Sequence, residues 1–167
     1  MPKNHKDLLL PKVRRSIDQY GITYGVMECQ SEFADTAAFC TKYAIDPVKC
    51  ANTIIVGGKG TQIKLAACVI LATTKLDVNK KVCELMEVKH ASFARSDQIQ
   101  SYTGMKIGGI TIFGLPESMP IYVDDTVFRQ SEIIMGGGNR LSKLRFDPRE
   151  LQKLPFMEEV VGLARSK

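Results

Sequence analysis

The sequence predicts a mixed α+β fold around a curved, mostly antiparallel sheet with flanking helices. Three observations carry this. Apolar residues near the start recur at three- and four-residue spacing, the mark of a helix face. Two β-rich runs in the centre are joined by Gly57-Gly58-Lys59-Gly60. The last third is short strand-like runs and turns, interleaved with helices irregularly rather than in a repeating strand-helix order.

Taken in order, Leu9, Val13, Ile17 and Tyr20 lie on one face of a helix over residues 7–20, with Asp7 placed to cap it, Pro11 in its first turn and Gly21 as its stop. Alternation in residues 22–29 predicts a strand weakened at Gly25. Asp35-Thr36 opens a short helix, and Asp46-Pro47 starts a helical turn, Asp as cap and Pro at the first position. Residues 52–56 and 61–73 then form a hairpin across the glycines. Asp77 caps a helix over 77–87, and Ser96 caps another that Gly104 stops. Strands are expected over 108–114, 119–125 and 131–138, and Asp147-Pro148-Arg149-Glu150 has the form of a helix start. No repeat, linker or low-complexity stretch interrupts residues 1–167, which read as a single domain.

Composition narrows the classes. With 44% hydrophobic and 25% charged residues the chain can bury a core, so disordered and fibrous readings fail. No window approaches the roughly 20 apolar residues of a membrane span. The apolar part of the start is only Leu8-Leu9-Leu10 before Pro11, too short for a signal-peptide core, so a cytoplasmic location is expected. The five cysteines (29, 40, 50, 68 and 83) contain no CxxC and read as reduced thiols. Neither they nor His5 and His90 have zinc-ligand spacing, so no metal or other cofactor is expected. The formal charge of +5 is unevenly spread. Residues 1–15 (Lys3, Lys6, Lys12, Arg14 and Arg15 against Asp7) and residues 137–153 (Arg140, Lys143, Arg145, Arg149 and Lys153 against Asp147 and Glu150) form two basic clusters. These are either a surface that follows phosphates or two solvated faces.

Familiar catalytic patterns are missing. The central GGKGT lacks P-loop spacing and joins two strands, and there is no Gly-x-Ser-x-Gly elbow. Two glycine clusters are more informative: Thr103-Gly104-Met105-Lys106-Ile107-Gly108-Gly109, and Gly136-Gly137-Gly138-Asn139-Arg140. Glycine permits close backbone approach, and exposed N–H groups can hold a carbonyl oxygen or an anion. Two tight turns would use the same residues.

In order and spacing these pieces resemble the YbaK/prolyl-tRNA editing domain family over about residues 7–155. The likeness runs through Thr36-Ala37-Ala38, Asp46-Pro47, Asn52-Thr53-Ile54-Ile55-Val56, Gly104 to Gly114, Pro120-Ile121-Tyr122-Val123-Asp124, the glycines to Arg140, and Asp147-Pro148-Arg149-Glu150-Leu151. The resemblance implies a trans-acting, metal-free aminoacyl-tRNA deacylase that hydrolyses the ester of a small mischarged amino acid, typically on tRNA for proline. Aminoacyl-tRNA is the implied partner and prolyl-tRNA synthetase a second candidate; neither DNA nor a membrane is expected. Gly108 and Gly109 would meet the carbonyl or terminal ribose. Cys29, Thr36, Gly104, Met105, Gly137, Gly138, Asn139, Arg140 and Lys143 are the candidate substrate-binding residues. For Cys29 the favoured alternative is a buried strand cysteine, and Met105 reads equally as a gap-filling side chain.

Two departures matter. Asn52 stands where the family usually carries a lysine, replacing a full charge with a neutral amide. Lys49 and Lys59 are near in sequence and are candidates to replace it. After the second glycine cluster the family often has Asp or His, whereas residues 139–144 contain neither and include Lys143. A catalytically lapsed relative that binds tRNA or a synthetase is therefore the alternative, followed by a different small-molecule hydrolase on the same fold.

Overall fold

The computed structural model describes residues 5–60 and 64–167. After a 3-10 turn at His5–Leu8 the chain forms α1 (Pro11–Gln19), β1 (Gly25–Glu28), α2 (Thr36–Tyr43), β2 (Ala51–Gly58), β3 (Lys64–Leu71), β4 (Thr74–Leu76) and α3 (Cys83–Met86). It continues through β5 (Ala91–Phe93), α4 (Ser96–Thr103), β6 (Ile121–Asp124), β7 (Ile133–Gly136), β8 (Ser142–Phe146), β9 (Met157–Val160) and β10 (Ala164–Ser166).

A five-stranded sheet has the order β5-β2-β3-β6-β9, a three-stranded sheet the order β1-β8-β7, and β10 pairs with β4. The β3–β6 and β6–β9 pairings are parallel and the others antiparallel. The parallel step from β3 to β6 needs a long return, which runs through α3 and α4. The expected mixed α+β class holds, with the strands divided among separate sheets. A parallel bridge between Cys50 and Ile134 joins the start of β2 to β7, so the two larger sheets meet there.

The main core lies between α1 and the sheets. Val13 and Ile17 of α1 are fully buried with Val69, Phe113, Val127 and Leu144. Truncating Ile17 to alanine would cost about 2–5 kcal/mol. Phe113 and Phe146 meet edge to face at 5.7 Å within this core. A smaller cluster of Cys29, Ala34, Phe39, Cys40, Cys50 and Ile134 fills the angle between α2 and the junction of the two sheets.

Several sequence expectations change. Residues 108–114 form no strand: Gly108 (φ +91°) and Gly114 (φ +81°) break the extended path, and Gly138 N–H donates to Gly109 C=O at 2.6 Å. Asp7 does not cap α1; Leu10 occupies that position, and the Asp7 carboxylate accepts from Arg14 at 2.6 Å. The 77–87 helix begins as a π-turn over Val78–Val82 and becomes α-helical only at Cys83–Met86. Ser96 is the first residue of α4 rather than its cap, which is Arg95. Asp46 and Asp147 do cap, accepting from Val48 N and Arg149 N, but both turns are 3-10. Residues 61–63, part of the predicted second strand, lie outside the described residues.

Candidate active site

The junction of the two sheets opens into a cleft of about 320 Å³. The start of α2 contributes Asp35, Thr36 and Phe39. Residues 50–54, at the start of β2, form one wall. Ile134, Met135 and Gly136 of β7 and Lys143 of β8 form another, and Ile107, Gly108 and Ile110 close the third side.

Lys143 is buried at 6% exposure, yet it lines the cleft. Its ammonium donates to the carbonyl oxygens of Ala34 (2.6 Å) and Gly108 (2.8 Å) and lies 5.4 Å from the centre of the Phe39 ring. Burial pulls its pKa below the usual lysine value, while Cys29, Cys50 and Asp35 push it the other way. Three residues earlier, Arg140 works in parallel. Its Nη1 donates to Ile107 C=O at 2.7 Å and to Asp35 at 3.2 Å, and its Nε and Nη2 both donate to Ser31 C=O. Two cations at the start of β8 thus hold the carbonyls of consecutive residues 107 and 108. Among the described residues, no acceptor takes the Gly108 N–H.

Across the cleft, the Thr36 hydroxyl donates to Asn52 Oδ1 at 2.6 Å. That bond orients the carboxamide and leaves Nδ2 as a donor with no acceptor among the described residues. Beside it the Thr53 hydroxyl is buried and likewise unpartnered among them. The lining therefore combines polar groups, among them the Asn52 amide, the Thr53 hydroxyl and the buried Lys143 ammonium, with apolar side chains.

Four of the sequence-predicted residues meet in this cleft: Thr36, Asn52, Gly108 and Lys143. The others lie outside its lining. Met105 is fully buried in the main core. Gly104 ends α4 in a left-handed conformation. Gly109, Gly137 and Gly138 are buried, and the Gly109 N–H is already taken by Lys106 C=O at 2.9 Å. A Cβ on Gly109 would collide with the Asn139 backbone, and one on Gly136 with the carbonyls of Gly109 and Ile110. The two glycine clusters pack backbone against backbone, which is the close approach that requires glycine here. Asn139 ties this turn to Leu8 C=O and to Leu141 N–H and Ser142. Arg140 braces the rim from behind.

Cys29 is buried, its thiol donating to Gln30 C=O at 3.3 Å; burial raises its pKa against the pull of Lys143 and Arg140. Cys50, which lines the cleft, lies 3.5 Å from Cys40, and burial pushes its thiol up to about 12. Neither is a thiolate nucleophile near neutral pH.

Lys49 and Lys59 do not line the cleft; Lys143, from the opposite wall, brings its positive charge. Sequence reasoning missed Asp35, Phe39, Ile107, Ile134 and Met135 as lining residues. Only Asp35, beside Thr36 at a helix start, carried a local signal. The basic cluster at 137–153 is largely committed internally: Arg145 pairs with Glu132, Arg149 with Asp147, and Lys153 with Glu150. In the other cluster Arg14 pairs with Asp7 and Lys6 lies 5.4 Å from the Tyr24 ring centre. No helix among the described residues is long and apolar enough to cross a membrane.

A mixed sheet framing a small donor-lined cleft is an arrangement suited to acyl-ester chemistry. Residues 30–154 match the model of the aminoacyl-tRNA editing domain, and the chain belongs to that family. It is 26% identical over 156 residues to the uncharacterized protein YwhH of Bacillus subtilis (strain 168), covering 93% of this chain and 97% of that one. The crystal structure of hypothetical protein APE2540 has the same fold, with a TM-score of 0.80 and 24% identity over 92% of this chain and 99% of that one. A protein put forward as a trans-editing enzyme for prolyl tRNA synthetase superposes with a TM-score of 0.77 at 17% identity, covering 96% of this chain and 98% of that one.

Proposed function

We propose that this chain is a trans-acting aminoacyl-tRNA deacylase, one editing unit that removes a small mischarged amino acid from tRNA, with tRNA for proline as its substrate. The observation that supports the reading is that Asn52, Gly108 and Lys143 line one small cleft, with Asn52 Nδ2 and the Gly108 N–H taking no acceptor among the described residues.

An aminoacyl ester is already activated, so the site needs orientation and a home for the developing negative charge. Water attacks the ester carbonyl carbon, and the carbonyl oxygen becomes an oxyanion that accepts from Gly108 N–H and Asn52 Nδ2. The tetrahedral intermediate collapses by breaking the bond to the ribose oxygen, which takes up a proton and leaves as the hydroxyl. The amino acid departs as its carboxylate. The cleft lining contains no histidine, and its carboxylate, Asp35, is tied to Arg140. A hydroxyl of the terminal ribose is therefore the group best placed to orient the water. Lys143 fixes the 107–109 segment through Gly108 C=O and supplies a positive potential from below.

A second reading, a relative that binds tRNA or a synthetase without turnover, is favoured by the neutral Asn52. The test is deacylation of alanyl-, cysteinyl- and seryl-tRNA for proline by the wild type and by Asn52→Lys. Hydrolysis by the wild type above the buffer rate is expected. A silent wild type with an active variant would establish the binding reading instead.

A further inference from the structure

The Lys143 ammonium carries three N–H groups, and the protein accepts from two of them. Among the described residues no carboxylate lies within hydrogen-bonding distance of it; two peptide carbonyls and the Phe39 ring are its neighbours. The apolar part of the same lining includes Phe39, Cys50, Ile134 and Met135. A buried cationic donor with spare capacity, set among apolar walls, recognises an oxygen acceptor. At the rim the sign reverses. The Asp35 side chain is 64% exposed, its Oδ1 held by Arg140 and its second oxygen without a partner among the described residues.

We infer that the cleft selects aminoacyl groups whose side chain ends in an oxygen acceptor, a hydroxyl or a carboxylate, over apolar groups of the same size, with Lys143 as the specificity-determining residue. This rests on the deacylase reading and names its substrate class. The polarity of the cleft orients the group: the side chain points down to Lys143, and the α-ammonium stays out beside Asp35. An apolar side chain of equal volume fills the same space but leaves the third N–H of the buried Lys143 without an acceptor. Sites built to pair a polar substrate group discriminate strongly against analogues that lack it.

Seryl and 2-aminobutyryl groups make the sharpest comparison, since a hydroxyl replaces a methyl at nearly constant shape. Their non-hydrolysable amides on 3′-amino-3′-deoxyadenosine, with the alanyl and aspartyl amides, would be titrated against the full chain by calorimetry, beside deacylation of the corresponding esters on tRNA. The expected result is binding of the seryl or aspartyl amide at least about tenfold tighter than the 2-aminobutyryl amide, with the same order in deacylation. The seryl and aspartyl arms tell hydroxyl from carboxylate. In Lys143→Met, which keeps the length of the side chain over Phe39, the preference should fall to near unity. Equal or tighter binding of the 2-aminobutyryl amide by the wild type would overturn the inference, whatever the variant does. If no ester is hydrolysed the deacylase reading falls, while the ratio of binding constants still decides the selectivity.

Discussion

Asn52 and Lys143 face one another across the cleft, and their chemistry differs in kind. Asn52 is neutral and directional, aimed by the Thr36 hydroxyl. Lys143 is charged but braced by two carbonyls, so its field is fixed in place. Removing either donor from a developing oxyanion or its surroundings would cost about 2–4 kcal/mol. Thr36→Val should leave Asn52 unaimed and slow deacylation by about tenfold with little loss of fold, because Thr36 is only partly buried. Single-turnover rates beside thermal midpoints would check this.

The thiols give a residue-scale prediction about stability. Burial raises both Cys50 and Cys68 to about 12, above their values in an unfolded chain. Above pH 9 the unfolded state loses protons that the folded state keeps, so their stabilising contribution is intact below that pH and is lost as pH rises toward 12. Each thiol costs up to about 1.4 kcal/mol per pH unit in that window. Lys143, with its pKa lowered, acts in the opposite direction as it approaches the free-lysine value. Urea midpoints from pH 8.5 to 10.5 should therefore fall less steeply in Cys68→Ala than in the wild type; parallel slopes would contradict the assignment.

At the scale of elements, the site depends on two glycine-rich segments that share one backbone interface. The sequence made both clusters conspicuous, but not the reason for them. A run of glycines is equally consistent with ligand contact and with chain-to-chain contact, and only the fold shows that Gly109 faces Asn139. The strand expected at 108–114 does not form, and of the two readings of Met105 the gap-filling one holds, since it is buried in the main core. Local signals fared better where the chemistry is local: Asp46 and Asp147 cap as their Asp-Pro pairs predict, and β2 and β3 form the expected antiparallel pair, although Gly57 and Gly58, expected in the connection, extend β2 and pair with Leu65 and Lys64. Gly109→Ala should destabilise the fold by roughly 3 kcal/mol, because the added methyl meets backbone that cannot rotate away. Gly60→Ala, with open space around its Cβ, should change stability by no more than about 0.5 kcal/mol. Equal effects in chemical denaturation would show that the two segments do not pack as described.

For the whole molecule, the charge of +5 overstates the cation available to a polyanion. The sequence shows where lysines and arginines cluster but not which have partners, since Arg140–Asp35 forms only when the loop before β8 meets the start of α2, and Arg145–Glu132 only when β7 and β8 pair. Cations already paired release few counterions on binding. Arg149→Ala should therefore shift the slope of log affinity for tRNA against log salt by much less than the value of about 0.7–0.9 expected for a lost phosphate contact. A shift of that full size would restore the 137–153 cluster as a phosphate-tracking surface.

On the proposed function, ester hydrolysis takes place in the cleft between β2 and the 107–110 segment. Single-turnover deacylation of alanyl-, cysteinyl- and seryl-tRNA by the wild type and by Asn52→Ala, with matched thermal midpoints, tests it most directly. Wild-type hydrolysis of at least one ester above the buffer rate is expected, with a loss of about 30- to 1000-fold in the variant. A variant as fast as the wild type, or a wild type no faster than buffer, would contradict it.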